Sequence, residues 1–422
     1  MPTGMLRIAM VTTFYPPYSF GGDGAYVRRM AHALARKGHE VEVIVDAEAF
    51  EFLSGESCLK PLPEPERVKV HFLRSGFGRL SCLATQQLGR PIFNGKKIER
   101  ILGDRFDVIH YHNISLVGGP GILSYGNAVK IYTTHEHWLV CQSHILWRHN
   151  RELCDRRECI RCAIAHKRPP QLWRHTSLLK KQCEHIDVFI SPSQSCVDNH
   201  RRFGFDFPMK VMPSFLPDSE EDESEIGLVA PEPDRPYFLF VGRLARIKGI
   251  QDVIPLFNDD SPADFLIAGS GEDEGYLRNL AFGRKTVKLL GHCAAGQLRE
   301  LYRNATALIT PSLCYEVAPL VVLEAFREGT PIIARKLGPF PELVKLSNGG
   351  ILFSNESELK EGMRRLLEEQ GLRESLGGAA KKAFQEVWSE EVAMSNYLNL
   401  IRELVENKGR RNSNESKWKN HE

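Results

Sequence analysis

Short apolar runs alternate along this chain with stretches whose apolar residues recur every three or four positions. That alternation predicts parallel strands separated by helices that cover both faces of a sheet. In the first half the predicted strands are Leu6 to Thr12, Val41 to Asp46, Val70 to Leu73, Asp107 to His112, Lys130 to Thr134 and Val188 to Ser191. In the second half they are Tyr237 to Val241, Phe265 to Ala268, Val287 to Leu290, Ala307 to Thr310, Pro331 to Ala334 and Ile351 to Phe353. Between the first two strands, Val27, Met30, Ala31 and Leu34 share one helical face, and Gly38 supplies a left-handed stop. The expected fold class is therefore α/β, with two doubly wound Rossmann-like domains of similar size.

A change in composition marks the border between the halves. From Asp218 to Asp234 there are eight acidic residues, no basic ones and two prolines, a stretch that repels itself and has little to bury. The division predicted is 1–217 for the first domain, 218–235 for an acidic linker and 236–388 for the second domain. A helix follows over 389–406, and the polar residues 407–422 are expected to be disordered.

The length of 422 residues fits two domains, and 42% hydrophobic with 26% charged residues describes an ordinary globular protein. No apolar stretch approaches the roughly 18 residues of a membrane span, and Met1 to Met5 lead straight into a strand, so neither an export signal nor an integral anchor is expected. A net charge of +2 gives no global steering toward nucleic acid, and no nucleic-acid motif is present.

Candidate chemistry concentrates in the second half. Glu316 and Glu324 lie eight residues apart, with Pro319 between them and helix formers after it. Proline suits the first helical position, so a helix is expected to start near Pro319 with the amides of Leu320, Val321 and Val322 unpaired, a natural anion site. Upstream, the apolar run Tyr237 to Val241 empties into Gly242-Arg243-Leu244-Ala245-Arg246-Ile247-Lys248-Gly249. Ligands of open parallel sheets bind beyond the carboxyl ends of strands, which is where Arg243 and Lys248 stand. A planar guanidinium and a compact ammonium together suit a diphosphate. In the first half, Gly21-Gly22-Asp23-Gly24 follows the first strand. A dinucleotide fingerprint is the rival reading of that loop, with Asp46 in the ribose position. Against it, Val27 occupies the third glycine position and Pro16-Pro17 lengthens the turn.

These pieces, taken in order with Arg36 to Val43, Thr134-His135-Glu136, Ser191-Pro192-Ser193, Ala268-Gly269-Ser270-Gly271 and Gly329-Thr330-Pro331, resemble the family 4 (group 1) glycosyltransferases. The resemblance covers nearly the whole chain. It implies the GT-B fold, two Rossmann-like domains facing across a cleft, with the last helix crossing back to the first domain. It further implies retaining transfer of a hexose-type unit from a nucleotide-diphosphate sugar to a glycan or lipid-linked acceptor in cell-envelope glycan synthesis. Glu324 would hold the nucleotide ribose, Glu316 and His135 the donor sugar, and Arg243, Lys248 and the Leu320 and Val321 amides the diphosphate. Gly21 and Gly22 would let backbone approach the donor phosphates. No metal takes part in the implied chemistry, positive side chains standing in for one. Glu136 stands where many members carry aspartate. A non-catalytic nucleotide-sugar-binding protein, or an epimerase or phosphorylase on the same fold, is the alternative.

Two features lie outside that frame, both in an insertion over about 138–181. Cys141, Cys154, Cys159 and Cys162 include a pair at metal-ligand spacing, and the four are expected either to hold a structural zinc or to be reduced thiols in a loop. From Trp147 to Lys181 ten Lys or Arg face three acids, with Trp147 and Trp173 interleaved. Such a face suits either an anionic membrane or an acceptor, and the expected location is cytoplasmic, peripheral at the inner face of the cell membrane.

Overall fold

A computed structural model describes residues 4–56, 60–103, 105–217 and 235–419, with side chains through residue 408. The acidic linker expected at 218–235 falls outside the described residues but for Arg235. Two compact units emerge: Met1–Pro192, Val197–Met212 and Ala393–Glu422 form one, Ser193–Cys196 and Pro213–Val392 the other. The border at Pro213 lies short of the expected 217, because Leu216 already pairs with Ser389 and its amide donates to the Trp388 carbonyl at 3.2 Å inside the second unit.

The strands of the first unit are β1 (Arg7–Thr12), β2 (Glu40–Asp46), β3 (Val68–Leu73), β4 (Val108–Tyr111), β5 (Val129–Thr133), the hairpin β6 (Trp147–Arg148) and β7 (Glu152–Leu153), β8 (Val188–Ser191) and β9 (Met209–Val211). Apart from the hairpin they form one sheet in the order β3-β2-β1-β4-β5-β8-β9, with every pairing parallel. The second unit holds β10 (Tyr237–Val241), β11 (Asp264–Ala268), β12 (Val287–Gly291), β13 (Ala307–Thr310), β14 (Ile332–Arg335) and β15 (Gly350–Phe353), in the order β12-β11-β10-β13-β14-β15. In both sheets the chain starts in the middle, builds outward one way, then returns to build the other way. The reversal falls between β1 and β4 in one unit and between β10 and β13 in the other, and such a reversal leaves a crevice at the strand ends.

Strand periodicity explains how the second sheet is covered on both faces. Leu239, Leu266, Leu308 and Ile332 belong to one buried cluster, while Phe238, Phe240, Phe265, Ile267 and Ile309 belong to another. Successive residues point to opposite faces, so both clusters are drawn from the same strands. Each such side chain contributes about 1.5–3 kcal/mol of burial. β9 escaped the sequence pattern because its three residues form a largely exposed edge between Pro208 and Pro213.

The final helix spans Glu390–Lys419. Its buried stripe of Ala393, Met394, Tyr397, Leu400 and Ile401 completes the first unit. Tyr397 Oη and His110 Nδ1 share a 2.8 Å hydrogen bond, and Lys408 Nζ donates to the Ala128 carbonyl at 2.8 Å. The disordered segment expected over 407–422 is thus corrected through residue 419. No proline interrupts the segment, and adding a residue to an existing helix costs far less than starting one.

At the ends of β10 and β11 the two loops are sewn together. The Gly242 amide donates to the Ala268 carbonyl at 3.0 Å, and the Leu244 amide to the Ser270 carbonyl at 2.9 Å. Gly269 sits at φ 135°, where an added Cβ would lie 2.0 Å from the Gly242 carbonyl oxygen. Gly269→Ala is therefore expected to lower stability by about 2–4 kcal/mol, through backbone strain and a clash with main chain that has no room to yield. Chemical denaturation of the full chain measures it; a change below about 0.5 kcal/mol would contradict the packing described.

Candidate functional site

In the second unit, the loop leaving β10 delivers Lys248 and the loop leaving β13 delivers Glu316, so the two arrive at the reversal point of the sheet from neighbouring strands. Lys248 Nζ donates to Glu316 Oε1 at 2.6 Å, and Ser312 Oγ donates to the same oxygen at 2.8 Å. The two charged side chains are 25% and 16% exposed. Burial opposes each charge. For Lys248 burial is the largest single influence and lowers it, but the charge of Glu316, the charge of Cys314 and the hydrogen bond to Glu316 together outweigh it and hold the ammonium above its ordinary value. For Glu316 the Lys248 charge, with the hydrogen bonds from Lys248 and Ser312, outweighs burial and holds the carboxyl below its own. Burial pushes the thiol of Cys314, on which both charges act, up to about 12, so it takes no part as an anion.

Gly249 closes the Lys248 turn at φ 75°, and an added Cβ there would lie 2.1 Å from the Pro311 carbonyl oxygen. Only glycine allows the cationic loop to approach the β13 loop this closely. Arg243 behaves differently: its side chain is 57% exposed and its ion pair among the described residues is with Glu272, at 4.0 Å. Such a surface pair holds a side chain weakly. The positive charge of Arg243 is nonetheless close enough to act on both Lys248 and Glu316.

The helix after the β13 loop spans Leu320–Glu328, with Pro319 at its N-cap. Here the sequence expectation is corrected by one residue. Pro319 precedes the helix, and its carbonyl accepts the Val322 amide at 2.9 Å, which removes one of the three amides taken as unpaired. Leu320 and Val321 remain as the leading residues of the helix. Glu324 stands on the second turn, where its Oε2 accepts from Tyr302 Oη at 2.8 Å. Arg243, Lys248 and Glu316 are thus brought together electrostatically, beside a helix that carries Leu320, Val321 and Glu324.

The first unit presents its own constellation beyond β1, β4 and β5. Gly21 is the N-cap of the helix Gly22–Arg36, and Asp23 in its first turn accepts from Asn113 Nδ2 at 3.2 Å. An added Cβ on Gly24 would lie 3.0 Å from the Phe14 carbonyl oxygen, so small residues here let the helix start pack against the loop after β1. Asp46, the ribose partner in the rival reading, instead caps the helix Ala47–Ser54 by accepting the Ala49 amide at 3.3 Å. His135 lies past β5, its Nε2 2.8 Å from His112 Nδ1 and its ring 5.3 Å from that of Tyr26. His110, whose ring lies 4.0 Å from that of His112, bonds Thr133 Oγ1 at 2.7 Å. Burial lowers all three imidazoles: His110 to about 3, His135 to about 4 and His112 well below its ordinary value. All three are neutral near pH 7, so His135 offers a hydrogen bond rather than a charge. His137, a competitor for that role in the sequence, is fully buried against Asn199 and His200.

Sequence reasoning missed Ser312 and Tyr302, which hold the two glutamates, and His110, His112 and Asp23. One signal was available: His110 and His112 are two apart on an apolar strand, hence on one face.

Comparison with known proteins matches two family models to this chain, Glycosyltransferase Family 4 over residues 20–219 and Glycosyl transferases group 1 over residues 223–383. An uncharacterised glycosyltransferase of Methanocaldococcus jannaschii is 26% identical, covering 96% of this chain and 100% of its own. Among solved structures, the sucrose-phosphate synthase of Thermosynechococcus elongatus aligns with a TM-score of 0.70 at 19% identity, over 94% of this chain and 99% of its own. HepE of Anabaena, solved with UDP and glucose, aligns with a TM-score of 0.63 at 15% identity, over 94% of this chain and 100% of its own.

The buried pair imposes a pH dependence. The depressed Glu316 contributes stability that is present above its ordinary value of 4.5 and lost as pH falls through its folded value. The raised Lys248 contributes stability that is present below its ordinary value of 10.5 and lost only as pH rises through its folded value. Glu316→Gln should cost about 1–3 kcal/mol near neutrality by leaving the ammonium unpaired, and the deficit should shrink below about pH 4. Thermal unfolding of both proteins across pH checks this; a deficit that stays constant into acid would refute it.

Proposed function

Because the chain belongs to the family 4, group 1 glycosyltransferases, and has the GT-B fold with its two Rossmann-like domains, we propose that it transfers a hexose-type unit from a nucleotide-diphosphate sugar to a glycan or lipid-linked acceptor, with retention of configuration and without a catalytic metal. The observation that carries this reading is the Lys248–Glu316 pair, 2.6 Å apart at the reversal point of the second sheet. The UDP and glucose in the solved HepE complex support a donor of this class.

In the proposed reaction the bond between the anomeric carbon and the diphosphate breaks while an acceptor hydroxyl attacks the same face. The departing phosphate takes the hydroxyl proton. Arg243, with its exposed guanidinium, and Lys248 offset the charge that develops on the leaving group, and the Leu320 and Val321 amides add donors to it. Lys248 acts without reorganising, because the glycine-tight loop and the ion pair fix it beforehand. Glu316 holds Lys248 and contacts the donor sugar, and Glu324 takes the ribose hydroxyls in place of Tyr302. On the first unit, the neutral His135 imidazole is assigned to a sugar hydroxyl, and Gly21 and Gly22 to backbone donors.

The acceptor side of the proposal rests on the insertion. Its three acids are engaged by Arg148 and Arg156: Glu152 at 2.6 Å and Asp155 at 2.8 Å from Arg148, and Glu158 at 2.7 Å from Arg156. Arg151, Arg157, Arg161, Lys167, Arg168 and Lys180 are exposed and have no ion pair among the described residues. Arg157, Arg174, His175 and Lys180 line a cavity of about 330 Å³. This surplus supports peripheral binding to anionic lipid beside a lipid-linked acceptor.

A screen of UDP, GDP and ADP sugars with product analysis tests the reaction. Lys248→Ala is expected to lower kcat/KM by about 10²–10³ while leaving the far-ultraviolet spectrum unchanged. Turnover at the parent rate would overturn the assignment. Sedimentation with vesicles of graded anionic content should show binding that weakens with salt; binding indifferent to lipid charge would remove the membrane part.

A further inference from the structure

The helix Arg79–Leu88 of the first unit is turned inside out. Its buried residues are Ser81, Cys82 and Thr85, all small, while Leu80, Leu83 and Leu88 face water. The three leucines fall at i, i+3 and i+8, so they form the stripe of an amphipathic helix pointed away from the core. The flanking segments extend it. Phe77 before the helix and Ile92 and Phe93 after it are exposed, and the Phe77 and Phe93 rings meet at 4.4 Å, which joins the two ends. Phe77, Leu80, Leu88 and Ile92 are each more than half exposed. Single exposed apolar residues are ordinary, whereas a helical stripe closed by an aromatic pair marks an interaction surface.

Charge identifies the partner. Between Arg67 and Ile98 the sequence has seven Lys or Arg and no Asp or Glu. Arg79, Arg90, Lys96 and Lys97 alternate along the chain with the apolar residues, are exposed, and have no ion pair among the described residues. Glu48 and Glu51, on the neighbouring helix Ala47–Ser54, are already engaged: Glu48 accepts the Gly76 amide at 2.9 Å and Ser75 Oγ at 2.6 Å, and Glu51 pairs with Arg74 at 2.7 Å. Two copies of this face pressed together would set like charges against one another, which disfavours a symmetric pair. Leucines and phenylalanines between unpaired cations suit an anionic bilayer, where apolar tips enter the acyl boundary and the cations stay among the headgroups.

We propose that the outward face of the helix Arg79–Leu88, with Phe77, Ile92 and Phe93, inserts into the headgroup region of an anionic membrane as the apolar anchor of the first unit.

The anchor is tied directly to the basic insertion. Trp173 Nε1 donates to the Gln86 carbonyl at 2.8 Å. Gly89, at φ 64°, ends the helix so close to the insertion that an added Cβ would lie 3.0 Å from Leu178 and 3.2 Å from Trp173. Leu172, next to Trp173, is itself exposed. Cys154 and Cys162 of the insertion donate as thiols to the Arg156 and Trp147 carbonyls, and no three of its four cysteines bring their sulfurs within ligand distance among the described residues, so its contribution here is its basic surface. This inference rests on and deepens the membrane part of the proposed function: lipid charge draws the insertion to the surface, and the anchor adds a hold that salt does not screen.

The test uses the full chain with phosphatidylcholine vesicles carrying graded phosphatidylglycerol. Leu80→Trp should add an emission that moves to the blue on binding and is quenched by lipids brominated high in their acyl chains. Trp138, Trp147, Trp173 and Trp388 are buried, so the difference from wild type isolates the new ring. Leu80→Ser with Leu83→Ser should lower vesicle partition by about tenfold or more at every salt concentration, whereas Arg161→Glu with Arg168→Glu should lower it mainly at low salt. An added emission unshifted and unquenched on vesicles that do bind the protein would overturn the anchor while leaving the charge-driven contact of the insertion standing. So would a wild-type dimer that the paired serine substitutions dissociate, because a second copy would then cover the face. Absence of any vesicle binding by the wild-type protein would remove both. None of these readouts bears on sugar transfer, which the donor screen decides separately.

Discussion

A cation and an anion held together at the mouth of a parallel sheet organise the second unit of this protein. Each of Lys248 and Glu316 alone would be costly to cover with protein, and together, with Ser312 on the same carboxylate oxygen, they offset much of each other's loss of water. The pair also dictates backbone. Lys248 reaches Glu316 only because Gly249 lets the β10 loop lie against Pro311, and the β10 loop keeps its course only because Gly269 lets it bond the β11 loop. Glycine in these loops is therefore a requirement of the charge placement rather than a sign of slackness. What results is a preset ion pair next to a helix start, held in place before anything binds.

The first unit has the same strand plan but a different interior chemistry. Where the second unit places charges, the first places a row of uncharged rings: His135 on His112, His112 against His110, and His110 between Thr133 and Tyr397. Burial keeps these imidazoles neutral, so they pass orientation along hydrogen bonds without introducing a charge. The outermost member, His135, inherits a fixed tilt from groups that no substrate would touch.

How much of this was legible in the sequence follows from the range of each interaction. The buried strands were legible because apolar runs such as Tyr237 to Val241 carry their own signal, whereas β9, short and exposed at a sheet edge, carries almost none. Lys248 and Glu316 were identified as separate candidates, but their contact spans 68 positions and needed the loops in space. Pro319 was placed one residue too deep in its helix because proline's locked φ fits either position, and only its ψ of 88° makes it the N-cap. His110 and His112 read as strand residues until their partners came into view. The helical course beyond residue 406 was missed because polar composition describes how a segment meets water and leaves its backbone undetermined.

The bond between Tyr397 and His110 joins positions 287 apart, and the stripe around Tyr397 fills the first unit from a helix that follows the second unit in the chain. Synthesis from the amino terminus therefore supplies most of the first sheet early but withholds its closing layer while residues 213–392 are still being made. At about 5–20 residues per second the delay is roughly 10–40 s. During that interval the first unit lacks the stripe of Ala393, Met394, Tyr397, Leu400 and Ile401 that covers part of its core. The second unit, made from a nearly continuous stretch, has its own strands and cores in hand first, so the order of completion along the ribosome is the reverse of the order in the gene.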